Sequence, residues 1–270
     1  METTDVRQWQ YVPTNSPQQL PKTNYLVHEN NLASITLAQQ SLGEISLAEL
    51  VDICSKGTVE GVQLSDYLNQ NNQHPMAERK PILLLGELAN PYQLGRLKLG
   101  AIPVFNVRIS DICRTYADSL DNRMINPGIH HITIARTQGW WEVTHLAFAT
   151  LPQIKQMIDW LSNHRKGDWR PIKLGEGSIS LESNQHLSAP ARESLNWDGK
   201  TETVSEKAPE LTGPNFDIGE VIVPIHTKYG CYDSRGKIIR CAHVGQRDFH
   251  TNLFRRGSSK KWQDIITPKN

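Results

Sequence analysis

Four residues toward one end of the chain, Cys231, Cys241, His243 and His250, are of the types that hold a tetrahedral zinc ion. Two thiols and two imidazoles fall within twenty residues, so the number of donors suffices. Their spacing is irregular and contains no C-x2-C knuckle, so the expectation is packed cysteines and surface histidines, with zinc as the subordinate reading. A second pair is His131 and Thr133. Two residues apart on a strand, they point to one face, as a pair gripping a phosphate must.

His131-Ile132-Thr133 resembles one half of the two-histidine phosphoesterase signature. The resemblance implies phosphoester chemistry and requires a second His-x-Thr. His226-Thr227-Lys228 lacks its spacing and His145-Leu146-Ala147 lacks its hydroxyl, so a half-exposed strand is the expectation here.

Charge supplies the third feature. The formal net charge of +1 hides an asymmetry, because residues 226–270 carry ten Lys or Arg against three Asp, which leaves −6 on the remainder. Arg235, Lys237, Arg240, Arg247, Arg255, Arg256, Lys260 and Lys261 are interleaved with Tyr229, Tyr232, Phe249, Phe254 and Trp262. Cations attract phosphates and exposed rings stack on bases, so this segment is expected to contact DNA, RNA or another polyanion. The competing expectation is a solvated face, or a tail docked on the acidic body.

The acids Glu87, Asp111, Glu142, Glu176 and Glu220 stand at expected strand edges. Metal-dependent phosphodiester chemistry needs carboxylates that converge, and sequence alone does not bring these together. No G-x-x-x-x-G-K-[ST], G-x-G-x-x-G, H-E-x-x-H or G-x-S-x-G occurs, so the marked NTPase, dinucleotide, zincin and hydrolase routes have no support. Whether the chain is an enzyme is left open.

The elements that must position these residues centre on Arg79 to Ile109. Pro81 to Leu85 is a continuous apolar run, as in a strand covered on both faces. Gly86 breaks it, and Asn90-Pro91 is an N-cap followed by proline at the first helical position, which predicts a helix over Pro91–Leu99. Gly100 closes that helix, and residues 101–109 return as a strand. Strand, helix, strand is a βαβ unit, most simply with parallel strands. Ser46 with Glu49 predicts a capped helix beginning at Leu47, and Val62–Leu68 a second one. Ser110 is expected to cap a helix through Leu120. Residues 130–136 and 140–148 read as a hairpin turning at Thr137-Gln138-Gly139, and Pro152 opens a helix with Ile154, Met157, Ile158 and Leu161 on one stripe.

The resulting fold class is α/β, a mixed sheet with a βαβ core unit, plus a small basic β-rich C-terminal module. The expected division is an irregular arm over 1–25, the α/β body over 26–177, a polar linker or surface excursion over 178–214, and the basic module over 215–270. No apolar run approaches the roughly 18 residues that span a bilayer, so a soluble, cytoplasmic protein without a membrane partner is expected. Nucleic-acid binding through the C-terminal module is the leading functional expectation. The first rival is an enzyme acting on a phosphorylated small molecule or phosphodiester, with Glu87, His131 and Thr133 at the ends of the body's strands. The second is an architectural subunit of a larger assembly.

Overall fold

The computed structural model describes residues 4–17, 20–121, 123, 128–163, 165, 167–200, 202–227, 230–231, 237–254, 259–260 and 262–269. Two long strands dominate it. After β1 (Tyr25–His28), β2 (Asn31–Thr36), the helices α1 (Leu47–Ser55) and α2 (Leu64–Gln70), β3 (Lys80–Leu84) and α3 (Pro91–Arg96), the chain runs through β4 (Ile102–Leu120) and β5 (His130–Ala149). These two strands pair antiparallel along nearly their whole length.

The organising unit has the expected parts in a different arrangement. Asn90 caps α3, its Oδ1 accepting the Tyr92 amide at 2.9 Å, with Pro91 beside it. The helix stops at Arg96 rather than Leu99 because Lys98 takes a left-handed backbone, φ 50°, ahead of Gly100 at φ 75°. β3 and β4 are parallel, but β5 lies between them and is antiparallel to both. The parallel strands of the βαβ unit are therefore not neighbours, and the sheet is mixed through the parallel pairing of residues 215–216 with residues 44–45.

Two local readings are corrected. Ser110 does not cap a helix, since residues 110–120 are the second half of β4. Ile112, Thr115 and Tyr116 are β-branched or aromatic, and their backbone partners lie on β5, beyond the reach of any local pattern. Thr137-Gln138-Gly139 does not reverse the chain either. Ser110 pairs with Trp141 and Ile112 with Arg136, so Thr137–Trp140 bulge opposite the single residue Asp111. Asp111 sits at φ 62° and its carboxylate accepts the Gly139 amide at 2.7 Å, with Gly139 at φ 76°. The glycine bends the strand without ending it.

The sheet has two covered faces. Leu83 on β3, Phe105 and Val107 on β4, and Leu146 and Phe148 on β5 point to one core, closed by Leu50 and Cys54 of α1 and Leu64 and Leu68 of α2. Ile82 and Leu84, with Val104 and Ala147, point to the other, closed by Leu94 of α3 and by Ile154, Met157 and Leu161 of α4 (Leu151–Ser162). The capping box at Ser46 and the stripe on α4 are as expected from sequence.

Beyond α4, β6 (Trp169–Ile172) is followed by β7 (Ser178–Leu181), which pairs with β4. The first residues of the expected excursion are thus part of the main sheet. Residues 182–214 are mostly irregular, with one short hairpin of β8 (Leu195–Trp197) and β9 (Glu202–Val204). β10 (Asn215–Phe216) pairs with β7, and β11 (Val223–His226) pairs with β6. The described part of 215–270 does not form a separate β-rich module. Val221, Val223, Ile225, Cys241, Phe249, Ile265 and Ile266 are buried in the same core as Leu83 and Phe105. Apolar residues at that density stay out of water only against the body. No described helix is long and apolar enough to cross a membrane.

Candidate functional site

Just past the carboxyl end of β3, Gly86 lets the chain turn closely over β5, since a Cβ there would lie 3.0 Å from Ile132 Cδ1. The 3-10 turn Glu87–Ala89 follows, and Glu87 is only 5% exposed. Asp121 ends β4, its amide bonded to the Ile129 carbonyl at 2.7 Å, and His131 enters β5 opposite. A carboxylate oxygen from each of Glu87 and Asp121 and a ring nitrogen of His131 all lie within 4.8 Å of one another. All three residues are buried, and among the described residues no other group of three His, Cys, Asp or Glu donors comes together in this way.

Arg123 closes the cluster. Its guanidinium donates to Asp121 Oδ1 at 2.8 Å and Oδ2 at 2.6 Å, and to Glu87 Oε1. It also lies 4.0 Å over the Trp160 ring. Burial pushes the Glu87 carboxyl above its ordinary pKa, with Arg123 opposing that rise and the Asp121 charge adding to it. Burial acts on Asp121 in the same direction, but the Arg123 hydrogen bonds and charge outweigh it and hold Asp121 low. Two buried carboxylates thus share one guanidinium, and the burden falls on Glu87. Tyr11 packs beside them. Burial, and after it the Glu87 charge, raises its phenol well above the usual value.

Aromatic rings set the orientation of His131. Trp169 meets it edge-on at 5.2 Å, and His226 stacks on it at 5.0 Å between centroids. His226 belongs to the His226-Thr227-Lys228 triplet that lacks the phosphoesterase spacing, and β11 brings it to His131 nonetheless. Thr133 is buried one step further along the same face of β5, and its Oγ1 has no hydrogen-bond partner among the described residues.

Of the acids expected at strand edges, Glu87 alone joins the cluster. Glu142 binds the Arg114 side chain at 3.0 Å, Glu176 binds Arg136, Glu220 pairs with Lys173 and Lys269, and Asp111 serves the bulge. Asp121, Arg123 and Trp160 escaped sequence reasoning, and His226 entered it only in the triplet set aside for its spacing. No motif links them, since pairing of β4 with β5 and packing of α4 and β11 bring them together.

The expected nucleic-acid residues have mixed placements. Arg240 is buried, 2.7 Å from Glu202 in an ion pair and 4.7 Å over the Trp140 ring, so it serves the interior and is not offered to a polymer. Phe249 is likewise interior, stacked on Tyr116 at 4.5 Å. Lys237 lies 5.8 Å from the Trp197 ring, and Arg247 is exposed. Arg235, Arg255, Arg256 and Lys261, with Tyr229 and Tyr232, lie outside the described residues, as do the side chains of Lys260 and Trp262.

The candidate zinc donors, for which packed cysteines and surface histidines were the expectation, are engaged separately. His243 Nε2 is 2.8 Å from the Pro190 carbonyl and His250 Nδ1 is 3.1 Å from His130 Nε2. Cys241 is a buried thiol whose pKa is pushed well up by desolvation, and the Cys231 side chain is outside the described residues.

No protein-family model, no curated protein and no solved structure matches this chain.

Proposed function

We propose that the protein is an enzyme that holds a divalent cation at Glu87, Asp121 and His131 and acts with it on a phosphate ester. The observation that carries this reading is the convergence of three buried donor atoms within 4.8 Å. Two carboxylates and one imidazole form a mixed oxygen and nitrogen set suited to Mn2+, Zn2+ or Fe2+. Such a cation acts as a Lewis acid on a phosphoryl oxygen. The charge balance supports it, because one guanidinium leaves two buried carboxylates short of positive charge. With a cation seated, Arg123 is released from the carboxylates and turns to an arriving phosphate, a bidentate acceptor that arginine suits. Titration of the full chain with Mn2+ by calorimetry tests this. Micromolar binding is expected, with loss of at least tenfold in Glu87→Gln and Asp121→Asn, alongside cation-dependent hydrolysis of a nitrophenyl phosphate mono- or diester. Equal affinity in wild type and both variants would refute it.

A second reading, nucleic-acid binding, is favoured by the exposure of Arg247 and by the positive excess over residues 226–270. It rests on electrostatics, so affinity for DNA or RNA should fall steeply with salt and Arg247→Glu should reduce it. Salt-independent binding, or none, removes it.

A further inference from the structure

Arg123 has a second neighbour besides the carboxylates. On its outer side opens a cleft of about 820 Å3, lined among others by Tyr11, Tyr92, Gln93, Arg96 and Trp160. Three features give this cleft a chemistry. Arg96, in the last turn of α3, is exposed and makes no ion pair among the described residues; its guanidinium rests only loosely over the Tyr92 ring, at 5.8 Å. Tyr92 and Trp160 are both half-buried, so each shows part of its ring to the cleft. Gln93 lines the cleft as well, and its side-chain amide carries both donors and an acceptor.

From these we infer that the cleft binds a nucleoside monophosphate, or the terminal nucleotide of a strand. The phosphate lies on Arg96, at the outer side of Arg123, the base rests on Tyr92 and Trp160, and the base edge meets the Gln93 amide. Each part of that ligand answers one observation. A free cation beside a cation held on carboxylates selects an anion. Flat rings select a flat ring, since every base has a face to stack. The Gln93 amide selects an edge carrying both donors and acceptors. An inorganic phosphate answers only the first of these. The inference deepens the proposed function, because it names the substrate class of the site whose cation would lie on the inner side of Arg123.

The test uses the full chain in EDTA, so that nucleotide binding is measured apart from the cation. Calorimetry with adenosine and uridine 5′-monophosphates is compared with ribose 5-phosphate, adenosine and inorganic phosphate. At least one nucleotide should bind about tenfold more tightly than either of its halves. Arg96→Ala should weaken it by about tenfold while leaving adenosine unchanged. Tyr92→Ala should reduce the gap between nucleotide and ribose 5-phosphate. Arg96 is exposed, so its variant keeps the fold. Nucleotides that bind no better than ribose 5-phosphate, or an Arg96→Ala chain that binds them unchanged, would overturn the inference. Nucleotide binding in EDTA without Mn2+ binding would remove the metal reading and keep this one, and Mn2+ binding without nucleotide preference would do the reverse.

Discussion

Glu87 and His145 show how burial sets the behaviour of single groups here. Glu87 is buried beside another carboxylate, so replacing its partner Arg123 leaves two negative charges without a counter-ion. Arg123→Met is expected to cost about 3 kcal/mol or more in denaturant unfolding without added cation, as for other broken buried pairs. Mn2+ should restore part of it, and a loss that Mn2+ does not touch would speak against cation binding by the two acids. His145 is a simpler case. Its ring is buried, with Nε2 2.9 Å from the Pro21 carbonyl and the ring tilted against Tyr25. Burial pushes its pKa down to about 4. The unfolded chain takes up that proton near pH 6.5, so between about 6.5 and 4 the unfolded state binds more protons and stability falls as pH falls. This one group should contribute about 3 kcal/mol of loss across the window. In His145→Gln, unfolding free energy measured from pH 7 to 4 should have a shallower slope. An unchanged slope would mean that the ring is accessible to protons in the folded protein.

Among the elements, legibility divides by the range of the information. The capped start of α1, the Asn90-Pro91 start of α3 and the stripe of α4 were readable because cap and stripe lie within a few residues of each other. The second half of β4 was not, because Ser110 resembles a cap and the evidence against a helix is the pairing of Ile112–Tyr116 with Ile132–Arg136. The bulge opposite Asp111 was half legible: Gly139 marked a bend, but its direction depends on the partner strand. For the site, sequence offered Glu87, His131 and Thr133 together as polar contacts of the phosphate-handling alternative. Asp121 and Arg123 meet them only because β4 and β5 are paired in this register. Gly86 offers an element-scale test. Gly86→Ala should press on Ile132, lift the Glu87 turn and weaken Mn2+ binding several-fold. Ile132→Val removes the Cδ1 methyl that lies in the way, so the double variant should recover affinity, a coupling that independent sites do not show.

At the scale of the molecule, the C-terminal residues hold the body together rather than hang from it. β11 pairs with β6 and presents His226 to His131, while Val221, Cys241, Phe249 and Ile266 fill the same core as Leu83 and Phe105. A chain ending at Pro214 loses these side chains. Each represents about 1.5–3 kcal/mol of burial, against a total stability of about 5–15 kcal/mol. That chain should show no cooperative unfolding transition and little near-ultraviolet dichroism, and a cooperative transition would mean that the body folds alone. The charge asymmetry was read from sequence as a polymer-binding surface, but Arg240 turns inward to Glu202, which a count of charges does not reveal. Everything proposed for the site turns on cation binding by Glu87, Asp121 and His131. Its most direct test is a crystal soaked in millimolar Mn2+ with data collected for anomalous scattering: one strong peak bonded to all three side chains, with Arg123 turned away from Glu87, is expected, and an Arg123 still seated on both carboxylates with no peak between them would contradict it.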